Sequence, residues 1–442
     1  MTQPPNPMPK NYTPRSGDDR YAVERYELDL VYTPRTNRLA GRAVLSVEVL
    51  EQTDALRVDL VGLRVGKVRV DGRPHQRVKQ GEQAVQIRFA EPLPAGRRLL
   101  LEIEYAGRPA PRRSRWGRIG WEELEHGALV AAQPTGAPSW FPCNDRIDDR
   151  ARYSIGLTVE SGFFVAATGV PGPVSRHAGA RRWTFESDVP TATYLVAVHV
   201  GEYSEYPLGL GLRGGRLGGR LLTARAQADA TRRAFEPVPE MMRVFEEWFG
   251  PYPQHDLTIV VTEEELEIPL ESQGMVTFGI NHNDTEEQRL VAHELAHQWF
   301  GNSVGIAAWR DIWLNEGFAC FAEWVWSEAA GGASIARLAE EHHARIAALP
   351  QDLLLADPGP ADMFDDRVYK RGALLLEALR RTMGSGPFRS LLREWATGNE
   401  HRLVESARFI ELAESLSAVP LDRLWREWLH EVALPPLPEP VA

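Results

Sequence analysis

Residues 291–302 read VAHELAHQWFGN. His293 and His297 stand four apart, and Glu294 directly follows the first. On a helix, positions i and i+4 lie one turn apart on one face. Both imidazoles can then point at a single zinc ion about 2 Å away. Glu294 is turned by about 100° from His293, too far round to join the ligands easily. It is placed to hold a water beside the ion, which is the mechanical reason for the H-E-x-x-H spacing. The five residues alone leave a second reading open, a polar helix surface that carries two imidazoles.

A third ligand narrows the choice. Structural zinc sites are usually rich in cysteine, whereas a catalytic site keeps three protein ligands and one open position. Downstream, residues 311–326 read DIWLNEGFACFAEWVW, an apolar and aromatic helix with one early acid, Glu316. Eighteen residues lie between positions 297 and 316, room for a loop and a returning helix. Glu323, seven residues on, lies on the same face two turns away. It is placed to accept a hydrogen bond from a ligating imidazole. Its plain alternative is a solvated helix charge.

The elements that must position these residues can be read around them. Asp284 or Thr285 caps the first helix, with Gln288 three after Thr285 as a capping box, and Gly301 stops it. Before it, Met241, Val244, Phe245 and Trp248 form one apolar helical face that Gly250-Pro251 ends. LTIVV at 257–261 reads as a short buried strand. From Ala226 onward helices dominate, to about Val432.

The first half reads as strands. Tyr26, Leu28, Leu30 and Tyr32 alternate with polar residues, as do Leu45, Val47 and Val49, then Leu56, Val58 and Leu60. Val68 and Val70 run into Asp71-Gly72, a hairpin signal. Val85, Ile87 and Phe89, then Leu99, Leu101, Ile103 and Tyr105, and Tyr153, Ile155, Leu157 and Val159 repeat the pattern. Period two with frequent turns predicts an antiparallel β-domain with one buried face. YLVAVHV at 194–200 reads as its last buried strand. GLGLRGGRLGGR at 209–220 reads as a long hairpin or flexible connection. The domains expected are a flexible tail at 1–17, a β-domain at 18–205 and a mostly helical domain at 206–442.

Composition sets the outer bounds. The 442 residues carry 61 acidic and 50 basic side chains, a formal net charge of -11. Nucleic acid is therefore not expected as a partner. Only Cys143 and Cys320 occur, so no disulfide framework is expected and a reducing compartment is the simpler reading. The first residues lack the apolar core of a signal peptide, and no run of about 18 apolar residues exists. A cytoplasmic protein without membrane association is expected, and no obligate protein partner is evident. His199 reads as a core histidine, the cysteines as small buried apolar residues, and Arg112, Arg113 and Arg115 as a surface loop.

Taken together, HELAHQWFGN followed at this gap by WLNEGFA resembles the gluzincin aminopeptidases of the aminopeptidase N family. The resemblance implies that His293, His297 and Glu316 bind one zinc ion per chain and that Glu294 is the general base. LESQGMVTF at 270–278 is similar to the family's GAMEN-W-G-L-I-T-Y segment, with Glu271 on its glutamate. VYKRG at 368–372 resembles Y-x-K-G and puts Tyr369 on the catalytic tyrosine. QPTGAPSWFPCND at 133–145 resembles Q-x-E-P…F-P-C-x-D. YLVAVHVGEY at 194–203 resembles the closing strand of the family's N-terminal domain. The likeness runs in order from about residue 20 to 435.

The resemblance implies an α+β fold, an antiparallel β-domain followed by a thermolysin-like, mostly helical catalytic domain. It implies a metalloaminopeptidase acting on peptides with a free N-terminus. Glu294 would take a proton from water, Tyr369 would stabilise the oxyanion, and Glu271 would bind the substrate's α-ammonium. The chain also departs from the pattern. Its GAMEN segment lacks the Gly, Met and Asn. Gln133 stands where most members carry a second amine-binding glutamate, so it supplies an acceptor without charge. Lys370-Arg371 replaces x-Lys. The long helical C-terminal domain of larger members is expected to be absent, with a proline-rich tail in its place. A zinc endopeptidase, or another zinc hydrolase on the same site, is the competing reading, and an amine anchor at Glu271 separates them.

Overall fold

The computed structural model describes residues 12–211, 218–284 and 288–440. By its contacts the chain forms two compact units. One takes Arg15–Pro239 and Gln254–Gln288, the other residues 12–14, Glu240–Pro253 and 289–440.

In the first unit the alternating residues become buried faces. Tyr26, Leu28, Leu30 and Tyr32 all point inward from the strand Tyr21–Thr33. A nine-stranded sheet places Ala180–Ala192, Arg150–Glu160, Tyr21–Thr33, Arg38–Val49, Arg98–Gly107 and Arg64–Val70 side by side in that order. The sheet is mixed. Its neighbours pair antiparallel, as expected, except Tyr21–Thr33 against Arg150–Glu160, which run parallel. Strands joined by a short turn must run antiparallel, but two strands far apart in the chain can pair either way. Asp71 and Gly72 both have positive φ, 49° and 76°. That is the type I′ hairpin their sequence predicts, and it pairs Val70 with Arg73.

A second sheet in this unit runs Tyr203–Pro207, Gly219–Ala224, Leu257–Val261, Met275–Phe278. The boundary expected near residue 205 therefore lies inside the first unit, because the strand that begins there pairs onward to residue 278. Of the expected connection at 209–220, residues 212–217 lie outside the described ones. His199 is buried, its Nε2 3.1 Å from Thr277 Oγ1. Burial pushes its pKa down to about 3 and keeps it neutral. Cys143 and Cys320 are free and buried. Arg112 and Arg113 lie on a short strand, Arg112–Ser114, paired with Gly117–Leu124.

Nine α-helices follow in chain order among the described residues: α1 (Ala228–Ala234), α2 (Val238–Phe249), α3 (Gln288–Ala296), α4 (Trp313–Ala329), α5 (Ile335–Ala347), α6 (Asp366–Met383), α7 (Ser385–Gly398), α8 (Ser406–Leu416) and α9 (Asp422–His430). All but α1 lie wholly or mainly in the second unit. None is long and apolar enough to cross a membrane. Thr285, half of the expected capping box, lies outside the described residues.

The centre of the second unit is α4, buried on every side from Trp313 to Trp326. It crosses α6 at two glycines. A methyl group on Gly317 would come within 2.7 Å of the Gly372 Cα, and one on Gly372 within 2.8 Å of the Gly317 Cα. The two backbones therefore touch, which only small residues permit.

Two expected loose ends are held. Tyr12, in the tail expected to be flexible, is buried and its hydroxyl donates to Asp357 and accepts from the Gly359 N–H. The proline-rich segment after α9 lies along the helices. Arg371 donates to the Trp428 carbonyl in the last turn of α9 at 3.1 Å and to the Val432 and Glu431 carbonyls beyond it at 2.8 and 2.5 Å. The Leu434 N–H reaches Gln351 Oε1 at 2.8 Å. A proline-rich chain cannot bond to itself as a helix does, so its carbonyls find donors on neighbouring side chains.

Candidate metal centre

Helix α3 brings the two histidines onto one face, although it ends sooner than its sequence suggests. Regular α-helix stops at Ala296, and His297 still closes a helical turn through its N–H to the His293 carbonyl, 3.3 Å. That bond preserves the i, i+4 relation. Beyond it the chain turns tightly. His297 Nδ1 lies 3.0 Å from the Phe300 carbonyl, which can only accept, so Nδ1 carries the proton and Nε2 presents its lone pair. Gly301, with φ of 110°, completes the turn.

Helix α4 supplies the facing acids. Glu316 is in its first turn and buried. Its Oε2 lies 3.5 Å from His293 Nε2 and 3.4 Å from His297 Nε2. All three donor atoms lie within 4.8 Å of one another. A tetrahedral ion with bonds of about 2.0–2.1 Å has donor–donor edges of about 3.3–3.4 Å. Two nitrogens and one oxygen at this spacing fit zinc in an open, three-ligand site.

Glu323 lies two turns further along the same helix. Its Oε1 accepts from His293 Nδ1 at 2.8 Å. A carboxylate oxygen can only accept, so His293 too is held with Nε2 free. The other oxygen of Glu323 takes Arg289 at 3.2 Å and Lys370 at 3.5 Å. Burial works against the ionised form of Glu323, but His293, Lys370 and Arg289 outweigh it and hold the carboxyl well below the usual range. Burial also disfavours a charged His293. Contacts with Cys320, Glu316 and Glu323 outweigh that and raise its pKa. The acids thus favour a cation in their midst.

Tyr369 is half-buried on α6, its ring stacked parallel to that of His293 at 6.1 Å and 10°. The Gly317–Gly372 crossing sets this relation: Glu316 is next to one glycine and Tyr369 is one turn before the other. Glu294 is buried one residue after His293. Glu271 and Gln133 belong to the first unit. Glu271 follows Leu270, whose backbone pairs with Thr277 at 2.9 Å in both directions, so it heads the loop into the strand Met275–Phe278. Gln133 is half-buried after the strand Gly127–Ala131.

The sequence reading gave three residues no place at this centre. Lys370, Arg289 and Cys320 all touch the His293–Glu323 pair or each other. Their only signal is a charge in a helix and a lone cysteine, neither of which points to a partner 34 to 50 positions away. The glycines at 317 and 372 carried a signal, since glycine inside a helix usually has a packing reason.

Comparison with known proteins points to one family. The peptidase M1 N-terminal domain matches residues 22–195 and the peptidase family M1 domain matches residues 233–428. The crystal structure of an M1 zinc metallopeptidase from Deinococcus radiodurans is 30% identical, with a TM-score of 0.89 over 98% of this chain and 100% of that one. Aminopeptidase M1-A of Oryza sativa subsp. japonica is 27% identical over 455 residues, 94% of this chain and 51% of the relative. Leucyl aminopeptidase of Saccharolobus solfataricus is 25% identical over 398 residues, 83% of this chain and 48% of the relative. The chain thus spans about half the length of the curated relatives it matches. With its two domain models matched in order and a relative covered end to end, the chain belongs to peptidase family M1.

Proposed function

We propose that this chain is a zinc metalloaminopeptidase that hydrolyses the N-terminal residue from peptides, with one zinc ion held by His293, His297 and Glu316. One observation carries the reading: Glu316 Oε2 lies 3.5 and 3.4 Å from the two Nε2 atoms, close to the edge lengths of a zinc tetrahedron, and all three donors lie within 4.8 Å of one another. When bound, zinc supplies Lewis acidity, which polarises the scissile carbonyl and acidifies a water.

The chain's own residues do the rest. Glu294 takes the proton of the attacking water and passes it to the leaving amine. Tyr369 donates its phenol hydrogen to the developing oxyanion. Glu323 keeps His293 in the tautomer that presents Nε2. Glu271 binds the free α-ammonium as a charge-assisted pair, and Gln133 offers that ammonium a neutral acceptor. The relatives named aminopeptidases support an exopeptidase. The Deinococcus radiodurans M1 zinc metallopeptidase, solved as a mutant bound to a Tyr-Ser-Ala substrate, supports a peptide substrate. The net charge argues against nucleic acid, and two free buried thiols fit a cytoplasmic setting.

The test compares amino-acid anilides with N-acetylated peptides, before and after zinc is removed by a chelator. Turnover of the free-amine substrate alone, lost on chelation and restored by zinc, is expected. Glu294→Gln should keep zinc and lose nearly all turnover. Efficient cleavage of acetylated peptides would point to a zinc endopeptidase instead, because such an enzyme has no use for an amine anchor.

A further inference from the structure

The donors around His293 form two clusters, not one. His293 Nε2, His297 and Glu316 make the first. His293 Nδ1, Cys320 Sγ and Glu323 make the second, with atoms again within 4.8 Å of one another and all three residues buried. Cys320 Sγ lies 3.9 Å from His293 Nδ1, and Glu323 Oε1 lies 2.8 Å from it. An imidazole, a thiol and a carboxylate are a good ligand set for a borderline or soft metal ion. A cation bound there would take the Nδ1 lone pair. It would break the hydrogen bond that directs Nε2 toward the first cluster.

Lys370 already holds a cation at this second cluster. Its ammonium lies 3.1 Å from Cys320 Sγ and 3.5 Å from Glu323 Oε2, and its side chain is only 6% exposed. A lysine is a compact point charge on a flexible stem. Burying it is costly unless it is paired and hydrogen-bonded. Helix α6 nonetheless delivers it here, one residue after Tyr369. Arg289 also reaches Glu323, at 3.2 Å, but its side chain is 55% exposed.

We propose that Lys370 is a positioning residue that fills the second cluster with its own charge, excludes a metal ion from it, and so directs metal to the Nε2 side of His293. This rests on the reading of His293, His297 and Glu316 as the metal donors. The fixed ammonium leaves Glu323 as an acceptor for His293 Nδ1–H and denies the thiol a metal partner. A purely structural Lys370, pairing with Glu323 only to hold α4 and α6 together, would have no bearing on which atoms a metal meets.

Cobalt(II) distinguishes the two, because a cobalt–thiolate bond adds an intense near-ultraviolet charge-transfer band that nitrogen and oxygen ligands do not give. Apo-protein is titrated with cobalt(II). Wild type is expected to take up one equivalent without the thiolate band. Lys370→Met and Lys370→Gln, each checked for folding by circular dichroism, are expected to gain the band, either at the first equivalent or with a second. Lys370→Arg keeps the charge and should behave as wild type. Adding Cys320→Ser to Lys370→Met should abolish the band. A folded neutral variant with wild-type stoichiometry and spectrum overturns the proposal. So does a thiolate band in the wild type, a measurement that needs no variant. A wild-type protein that binds no cobalt would instead overturn the donor reading beneath it.

Discussion

Gly317 and Gly372 meet backbone to backbone where α4 crosses α6, so closely that a methyl group on Gly372 would stand 2.8 Å from the Gly317 Cα. This crossing fixes the helix of Glu316 against the helix of Tyr369. Gly372→Ala must push the helices apart. A destabilisation of about 1–3 kcal/mol is expected for such overpacking, together with a lower kcat as Tyr369 shifts from its place beside His293. Thermal unfolding and turnover on the same preparation check this. A wild-type melting temperature would mean that the crossing opens without strain.

Glu323→Ala should weaken zinc binding by about 10–100-fold, the usual effect of losing an outer partner of a ligating histidine. His293 would lose the acceptor at 2.8 Å that fixes its tautomer. Competition against a metal buffer measures the affinity. An unchanged value would reduce Glu323 to a packing acid.

Tyr369→Phe removes one hydroxyl and leaves the ring that stacks on His293. A fall in kcat of about 10²–10³ is expected from the loss of one oxyanion donor, with zinc content unchanged. A rate within a factor of two of wild type would move that role to another residue.

The first unit has its own pH dependence. Asp145 is buried, accepts from Thr193 Oγ1 at 2.7 Å through one oxygen, and has no hydrogen-bond partner on the other among the described residues. Burial, and then the charge of nearby Asp59, pushes its pKa up to about 7. Asp149 is raised to about 7 by burial as well. In the unfolded chain such carboxyls titrate at about 3.9. Between these values the folded state holds a proton that the unfolded state has released. The stability each group contributes is present in full below the unfolded value and lost as pH rises through about 7. Each adds a slope of at most about 1.4 kcal/mol per pH unit. Asp145→Asn keeps the acceptor for Thr193 and cannot ionise. It should be more stable than wild type at pH 8 by thermal unfolding, the gap should narrow at pH 5, and the two should converge only below about pH 3.9. A variant less stable than wild type at pH 8 would show that the ionised carboxylate is well accommodated.

Much of this molecule was legible from local pattern. The inward residues of Tyr21–Thr33 repeat every second position, and the Asp71-Gly72 turn needs two positive φ values, so both are written in short stretches. His293 and His297 share a face because a helix repeats every 3.6 residues, and Glu316 and Glu323 share one on α4 for the same reason. The resemblance to a family then tied the two helices together. The early end of α3 was not legible: Gly301 marks the stop, but the tight turn from Ala296 that directs His297 Nδ1 to the Phe300 carbonyl is set by what packs around it.

The sequence by itself determined which residues lie on which face of each strand and helix, since that follows from backbone periodicity over a few residues. Only the tertiary structure decided which faces meet. The parallel pairing of Tyr21–Thr33 with Arg150–Glu160, the Gly317–Gly372 crossing, and the buried contacts of Lys370 and Arg371 join residues dozens to more than a hundred positions apart. Nothing local specifies such a partner. A buried ammonium or guanidinium must find acceptors wherever the packed core places them. Lys370 therefore looks in sequence like any helix charge, and in the fold it stands against the thiol and carboxylate that surround a candidate zinc ligand.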